Sequence, residues 1–166
     1  QLWGDVCPWV IDFNNGPDLV ELTNDNIFEA RDLWFADEAS AVELYGHISD
    51  WDVSNVSNMG GLFDYFDTGV SFDGDISQWD VSNVTNMAGM FAGSPFNGDL
   101  SAWNVSNVQN FNWMFFSATL FNSDISGWNV SSAVTFDNMF AVASSFDQNL
   151  GSWDVTFAAG GQGNAF

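Results

Sequence analysis

Four asparagines stand two residues before a Ser or Thr, with valine between: Asn55-Val-Ser57, Asn83-Val-Thr85, Asn104-Val-Ser106 and Asn129-Val-Ser131. Each is an acceptor for an N-linked glycan where it is exposed on a secreted eukaryotic chain. They fall into two registers. Asn55 and Asn83 lie four residues after Trp51 and Trp79, where bonding to turn backbone is an equal alternative. Asn104 and Asn129 directly follow Trp103 and Trp128, a position held by Asp52, Asp80 and Asp154 elsewhere. That exchange of Asp for Asn creates an acceptor twice, which ranks Asn104 and Asn129 first.

Carboxylates are the other chemistry on offer. Asp75, Asp99 and Asp124 each precede a tryptophan by four residues, and Asn149 continues the column. If neighbouring units lie ~4.8 Å apart, these charges repel unless they are capped by backbone N–H groups or bridged. Calcium is the hard cation that such oxygens would take, and no other cofactor is expected. Asp73-Gly-Asp75 is only a fragment of a calcium loop.

Catalytic sets are poorly supplied. There is no lysine, His47 is the only histidine, and Cys7 is the only cysteine, so no internal disulfide can form. A glycoside hydrolase needs two carboxylates ~5–9.5 Å apart, and among 22 Asp and Glu such a pair arises by accident. The chain reads as a non-enzyme.

The elements that carry these residues are set by charge and by a repeat. With 22 acids against one Lys or Arg, the net charge is −21. Arg31 alone cannot displace the counterions of a nucleic acid, and an anionic membrane surface would repel the chain. No run approaches the ~20 apolar residues of a membrane-inserted helix. Gln1 opens the chain without a signal-peptide pattern, as in a secreted chain already cleaved, and the expected location is extracellular or at the cell surface.

Trp51, Trp79, Trp103, Trp128 and Trp153 recur at intervals of 28, 24, 25 and 25 residues. Each carries a Val two residues on, and a second Val follows at the fifth place (Val56, Val84, Val108, with Val134 one residue late). Trp-x-Val alternates as a short strand does. The clusters Met87-x-x-Met90-Phe91 and Phe111-x-x-Met114-Phe115 have the spacing of a short helical turn. The expected fold is therefore an α/β repeat solenoid, a stack of short strands and short helical turns over an aromatic spine.

The sentence Phe-Asn-x-Asp-Ile-Ser-x-Trp-Asp-Val-Ser-x-Val-Thr-x-Met-x-x-Met-Phe, running over about residues 46–155, resembles the repeat of BspA-like leucine-rich-repeat surface proteins. The same repeat type occurs in mycoplasma surface lipoproteins and in secreted microalgal proteins. The resemblance implies a leucine-rich-repeat-like fold and an extracellular role in attachment and contact, with no ligand specified. Two places depart from the pattern: Trp113 and Phe116 in one unit, and about three extra residues around Asp64-Tyr-Phe-Asp67 in the first. Better packing or an aromatic contact patch would each account for them.

Four regions follow: an apolar leader over 1–21, a helical cap over 22–46, the repeats over 47–155 and a Gly-rich tail over 156–166. Thr23 or Asn24 would cap a first helix with Ile27, Ala30, Leu33 and Trp34 as its apolar stripe; a second would end at Gly46. The leader (Leu2, Trp3, Val6, Trp9, Val10, Ile11) and the tail (Phe157, Phe166) are the candidate self-association residues. Heterologous contacts of that kind build filaments. The expected function is a structural surface protein that self-associates head to tail, against a monomeric adhesion module for a glycan or host protein.

Overall fold

The computed structural model describes residues 19–156. Leu2, Trp3, Val6, Cys7, Trp9, Val10, Ile11, Phe157 and Phe166 lie outside the described residues.

Among the described residues helix ends at Thr68. Helix α1 spans Ile27–Ala36, α2 spans Glu38–Tyr45, a single 3₁₀ turn spans Ile48–Asp50, and α3 spans Tyr65–Thr68. The N-cap of α1 is Asn26, without a side-chain cap bond, in place of the expected Thr23 or Asn24. Asp37 caps α2 by accepting from the Ser40 N–H. The extra residues of the first unit form α3, capped by Asp64 and closed by Gly69 at φ 66°.

Beyond Asp50 the chain is built from tight turns. The backbone N–H of each of Trp51, Trp79, Trp103, Trp128 and Trp153 donates to the carbonyl three residues back, Trp79 to Ile76 at 3.1 Å and Trp153 to Leu150 at 3.0 Å, for example. A second turn follows, closed at 2.9 Å by Val56, Val84, Val108 and Ala133. Ala133, not Val134, thus fills the fourth unit's apolar position, and Val134 is 63% exposed. A third turn closes within each Met-x-x-Met-Phe cluster, as from Met90 N to Met87 O at 3.2 Å.

The N–H groups left over point out of the unit. Met59, Gly61, Phe63 and Tyr65 donate to Asn86, Ala88, Met90 and Ala92 of the next unit, and the two units after do likewise, at 2.7–3.1 Å throughout. In return Thr85, Gln109 and Val134 donate to Ser57, Thr85 and Gln109 of the preceding unit, each at 2.8 Å.

These bonds overturn the expected leucine-rich-repeat-like α/β solenoid of short strands and helical turns. Among the described residues there is no strand at all: only isolated parallel bridges link Asn58 with Asn86, Asn86 with Asn110, and Asn110 with Thr135. The Met-x-x-Met-Phe clusters are not helical either. The reason lies in backbone angles. The tenth residue after each of Trp51, Trp79, Trp103 and Trp128 has a positive φ: 71° at Gly61, 65° at Gly89, 57° at Trp113 and 54° at Asn138. A left-handed residue inside every cluster ends both an extended run and a right-handed helix. Gly61 and Gly89 meet this requirement freely, whereas a side chain there costs roughly 1–2 kcal/mol.

Burial follows the columns. Phe63, Phe91, Phe115 and Phe140 stack at 5.8, 5.6 and 5.7 Å between ring centres. Each also lies face to face with the phenylalanine that opens the next unit, such as Phe115 with Phe121 at 3.7 Å. Trp51 stacks on Trp79 at 6.0 Å and Trp128 on Trp153 at 6.3 Å. The indole N–H groups of the four later repeat tryptophans each reach back one unit, Trp79 to Ile48 O, Trp103 to Ile76 O, Trp128 to Leu100 O and Trp153 to Ile125 O at 2.8–3.1 Å.

The first unit has no predecessor, and the segment around α1 stands in for one. Asn24 Oδ1 accepts from Ser57 N and Asn58 N (2.9 and 3.0 Å), as Ser57 O does from Thr85 N and Asn86 N. Glu21 Oε1 takes the Asn55 amide at 2.7 Å, as Ser54 O takes that of Asn83. Gly46 O accepts from the Trp51 indole at 3.0 Å. Arg31, 6% exposed, donates to Leu62 O at 3.1 Å and pairs with Asp32. Arg31→Ala leaves the Leu62 carbonyl unpaired, so a loss of about 2 kcal/mol is expected, read as a lowered midpoint in urea unfolding.

Candidate functional site

Short polar side chains form three columns along the turns, each accepting the N–H two residues ahead. The first holds His47, Asp75, Asp99, Asp124 and Asn149, with distances of 2.9–3.3 Å. His47 therefore serves as a turn cap, its Nδ1 accepting from Ser49 N while Trp34 packs edge-on at 5.0 Å. The second column is Asp52, Asp80, Asn104, Asn129 and Asp154 at 3.0–3.2 Å. The third is Asn58, Asn86 and Asn110 at 3.0–3.1 Å. Side chains of this kind replace backbone acceptors wherever a turn leaves a donor over.

The candidate calcium residues Asp75, Asp99 and Asp124 thus each cap a turn N–H. Among the described residues no group of three or more His, Cys, Asp or Glu converges as a metal site. The N–H and hydroxyl of Ser101 hold the Asp99 carboxyl below its usual value, against burial and the repulsion of Asp75 and Asp124. Asp75 is lowered by Ser77 in the same way. In Asp52, Asp80, Asp124 and Asp154 the hydroxyl two residues on is the largest cause, followed by its N–H.

The four sequons are distinguished by what their amide nitrogens do. Asn55 Nδ2 donates to Glu21 and Asn83 Nδ2 to Ser54 O, both at 2.7 Å, so these nitrogens tie one unit to the segment before it. Asn104 and Asn129 use only Oδ1, toward Ser106 and Ser131; among the described residues their Nδ2 atoms donate to nothing and both side chains are exposed.

The roles of Asn24 and Glu21 were not legible in the sequence, because their partners lie 33–34 residues away and no local motif marks them. The two irregular stretches were visible, but not that they meet: the Phe66 ring lies 6.2 Å from Phe116.

The lowered carboxylates have a pH consequence. A group whose acidity is increased by folding stabilises the fold above its unfolded pKa, and that stabilisation is lost as pH falls. In ~1 M salt, where the screening length is ~3 Å and charge repulsion is muted, the melting temperature is expected to fall as pH drops below about 4. Asp80→Asn, which keeps the turn acceptor without the titration, should flatten part of that decline. An unchanged profile would show that these caps do not carry the acid response.

Among the described residues no helix is long and apolar enough to cross a membrane. The family model described as "Mycoplasma protein of unknown function, DUF285" matches residues 33–95 and 64–160. No curated protein and no solved structure matches the chain. The resemblance to BspA-like leucine-rich-repeat surface proteins is corrected accordingly, since the match is to DUF285 and the strands that such a fold requires are not formed. With the two matches together reaching from residue 33 to residue 160 of 166, the chain belongs to the DUF285 family.

Proposed function

We propose that the chain is an extracellular, non-catalytic structural module that associates with further copies of itself through the edge formed by its fourth unit. One observation carries this reading. In the three preceding units the corresponding N–H groups all bond onward, whereas those of Phe136, Asn138 and Val142 have no acceptor among the described residues. A row of unpaired backbone donors is a template for another chain. The opposite end is closed by Asn24, Glu21, Gly46 and Arg31, so the two ends differ, as head-to-tail addition requires.

A net charge of −21 opposes association between copies, so assembly is favoured by salt that screens it. Sedimentation of the full chain is expected to show species larger than a monomer that grow with protein concentration and with salt. Asn138→Asp together with Val142→Asp, which places charge on the edge, should return it to monomer. Monomer alone at every salt and calcium concentration would refute the proposal.

On the same reading Asn104 and Asn129 carry N-linked glycans when the chain passes through a eukaryotic secretory route, and Asn55 and Asn83 do not. Free, exposed Nδ2 atoms support the first pair; commitment of Nδ2 to a neighbouring segment argues against the second. Intact mass after such expression should show two glycans, one lost in Asn104→Gln. Occupancy of Asn55 or Asn83 would count against the geometric argument.

A further inference from the structure

The two departures from the repeat come from different units and converge on one face. Phe66, in the extra residues that form α3, is 64% exposed and lies 6.2 Å from Phe116 at an interplanar angle of 50°. Tyr65 stands 6.4 Å from Phe66 at 72°. Phe66 rests directly on bare backbone: a Cβ at Gly93 would come within 2.8 Å of its ring. Trp113, whose carbonyl accepts from Phe116 N at 3.0 Å, is 56% exposed. Its φ of 57° is the left-handed conformation that Gly61 and Gly89 take in the same register. A strained, water-facing indole adds nothing to the core, and such positions concentrate at sites of contact.

An acid, Asp64, caps the short helix that carries Tyr65 and Phe66. Asp64 Oδ2 lies 3.9 Å from where a Cβ would stand on Gly89, one unit before Trp113 in its register. Asp67, on the same short helix, opens with Asp32 onto a neighbouring cleft.

We propose that Tyr65, Phe66, Phe116 and Trp113, with the Asp64 carboxylate, bind a Lys- or Arg-bearing peptide segment of a partner protein. The mutual tilt of the Tyr65, Phe66 and Phe116 rings makes an open-sided surface for a cationic head group, not the flat platform on which a sugar ring stacks. Charge complementarity selects the same partner, since a surface this acidic attracts cations. A second copy cannot supply the cation, because Arg31 is the only permanent one and is buried. The test reads peptide binding and not assembly, so its outcome is distinguishable from that of self-association.

The test is calorimetric titration of the full chain with a short peptide of alternating Lys, Arg and Gly, in about 0.15 M salt. A neutral Ser–Gly peptide and a soluble neutral glucan are titrated in parallel. Phe66→Ser, Trp113→Gly and Asp64→Asn are each expected to weaken the basic peptide about tenfold, which is ~1.4 kcal/mol. Asp99→Asn, an equal change of charge at a remote turn, should leave it unchanged. Trp113→Gly suits the left-handed backbone and Phe66→Ser removes an exposed ring, so both variants should melt no lower than the native chain. Equal binding by all four variants would reduce the effect to diffuse attraction, and a preference for the glucan would replace the peptide with a sugar; either overturns the proposal.

Discussion

The structure depends on a division of labour among backbone N–H groups. Within each unit one set closes turns of three residues, and the alternate set leaves the unit to bond the next. Buried donors cannot be left unpaired without a cost comparable to a lost hydrogen bond, so each unit is completed only by its neighbour. The left-handed residue ten places after each of Trp51, Trp79, Trp103 and Trp128 makes the division possible, since it turns the chain without using the donors that bind onward. Phenylalanine stacking follows from it. Rings held at one register on successive units come within 5.6–5.8 Å of each other.

That dependence makes the ends of the structure chemically distinct. At the first unit, side chains reproduce what a preceding unit would offer: Asn24 and Glu21 supply acceptors, and Arg31 supplies a donor. Arg31 can be buried in so acidic a chain because Asp32 neutralises it while a carbonyl takes one of its N–H groups. At the fourth unit, the donors of Phe136, Asn138 and Val142 have no such counterpart among the described residues.

The acidic surface has a local cause as well. Turns leave donors over, and side chains with an acceptor three bonds from Cα answer them, so Asp, Asn and even His47, through Nδ1, interchange within one column. Asn104 and Asn129 are turn caps first, in the column of Asp52 and Asp80. Carboxylates paired to N–H and hydroxyl groups resist protonation, which at Asp99 offsets the repulsion of Asp75 and Asp124.

The amino-acid sequence alone identified the period and the apolar columns: Trp79, Met87, Met90 and Phe91 are all buried, as are their counterparts in neighbouring units. It also marked the irregular stretches at Asp64–Asp67 and Trp113–Phe116. Periodicity reports which side chains leave water, and side-chain burial is blind to how the backbone satisfies its own polar groups. Strand alternation and tight turns can bury the same Trp-x-Val pair, so the path through turns instead of strands was decided by tertiary hydrogen bonding and by φ at Gly61 and Gly89. The surrogate roles of Asn24 and Glu21, and the meeting of Phe66 with Phe116, join residues 33–50 apart in the chain. No local pattern encodes them, because they exist only once stacking has fixed which surfaces adjoin.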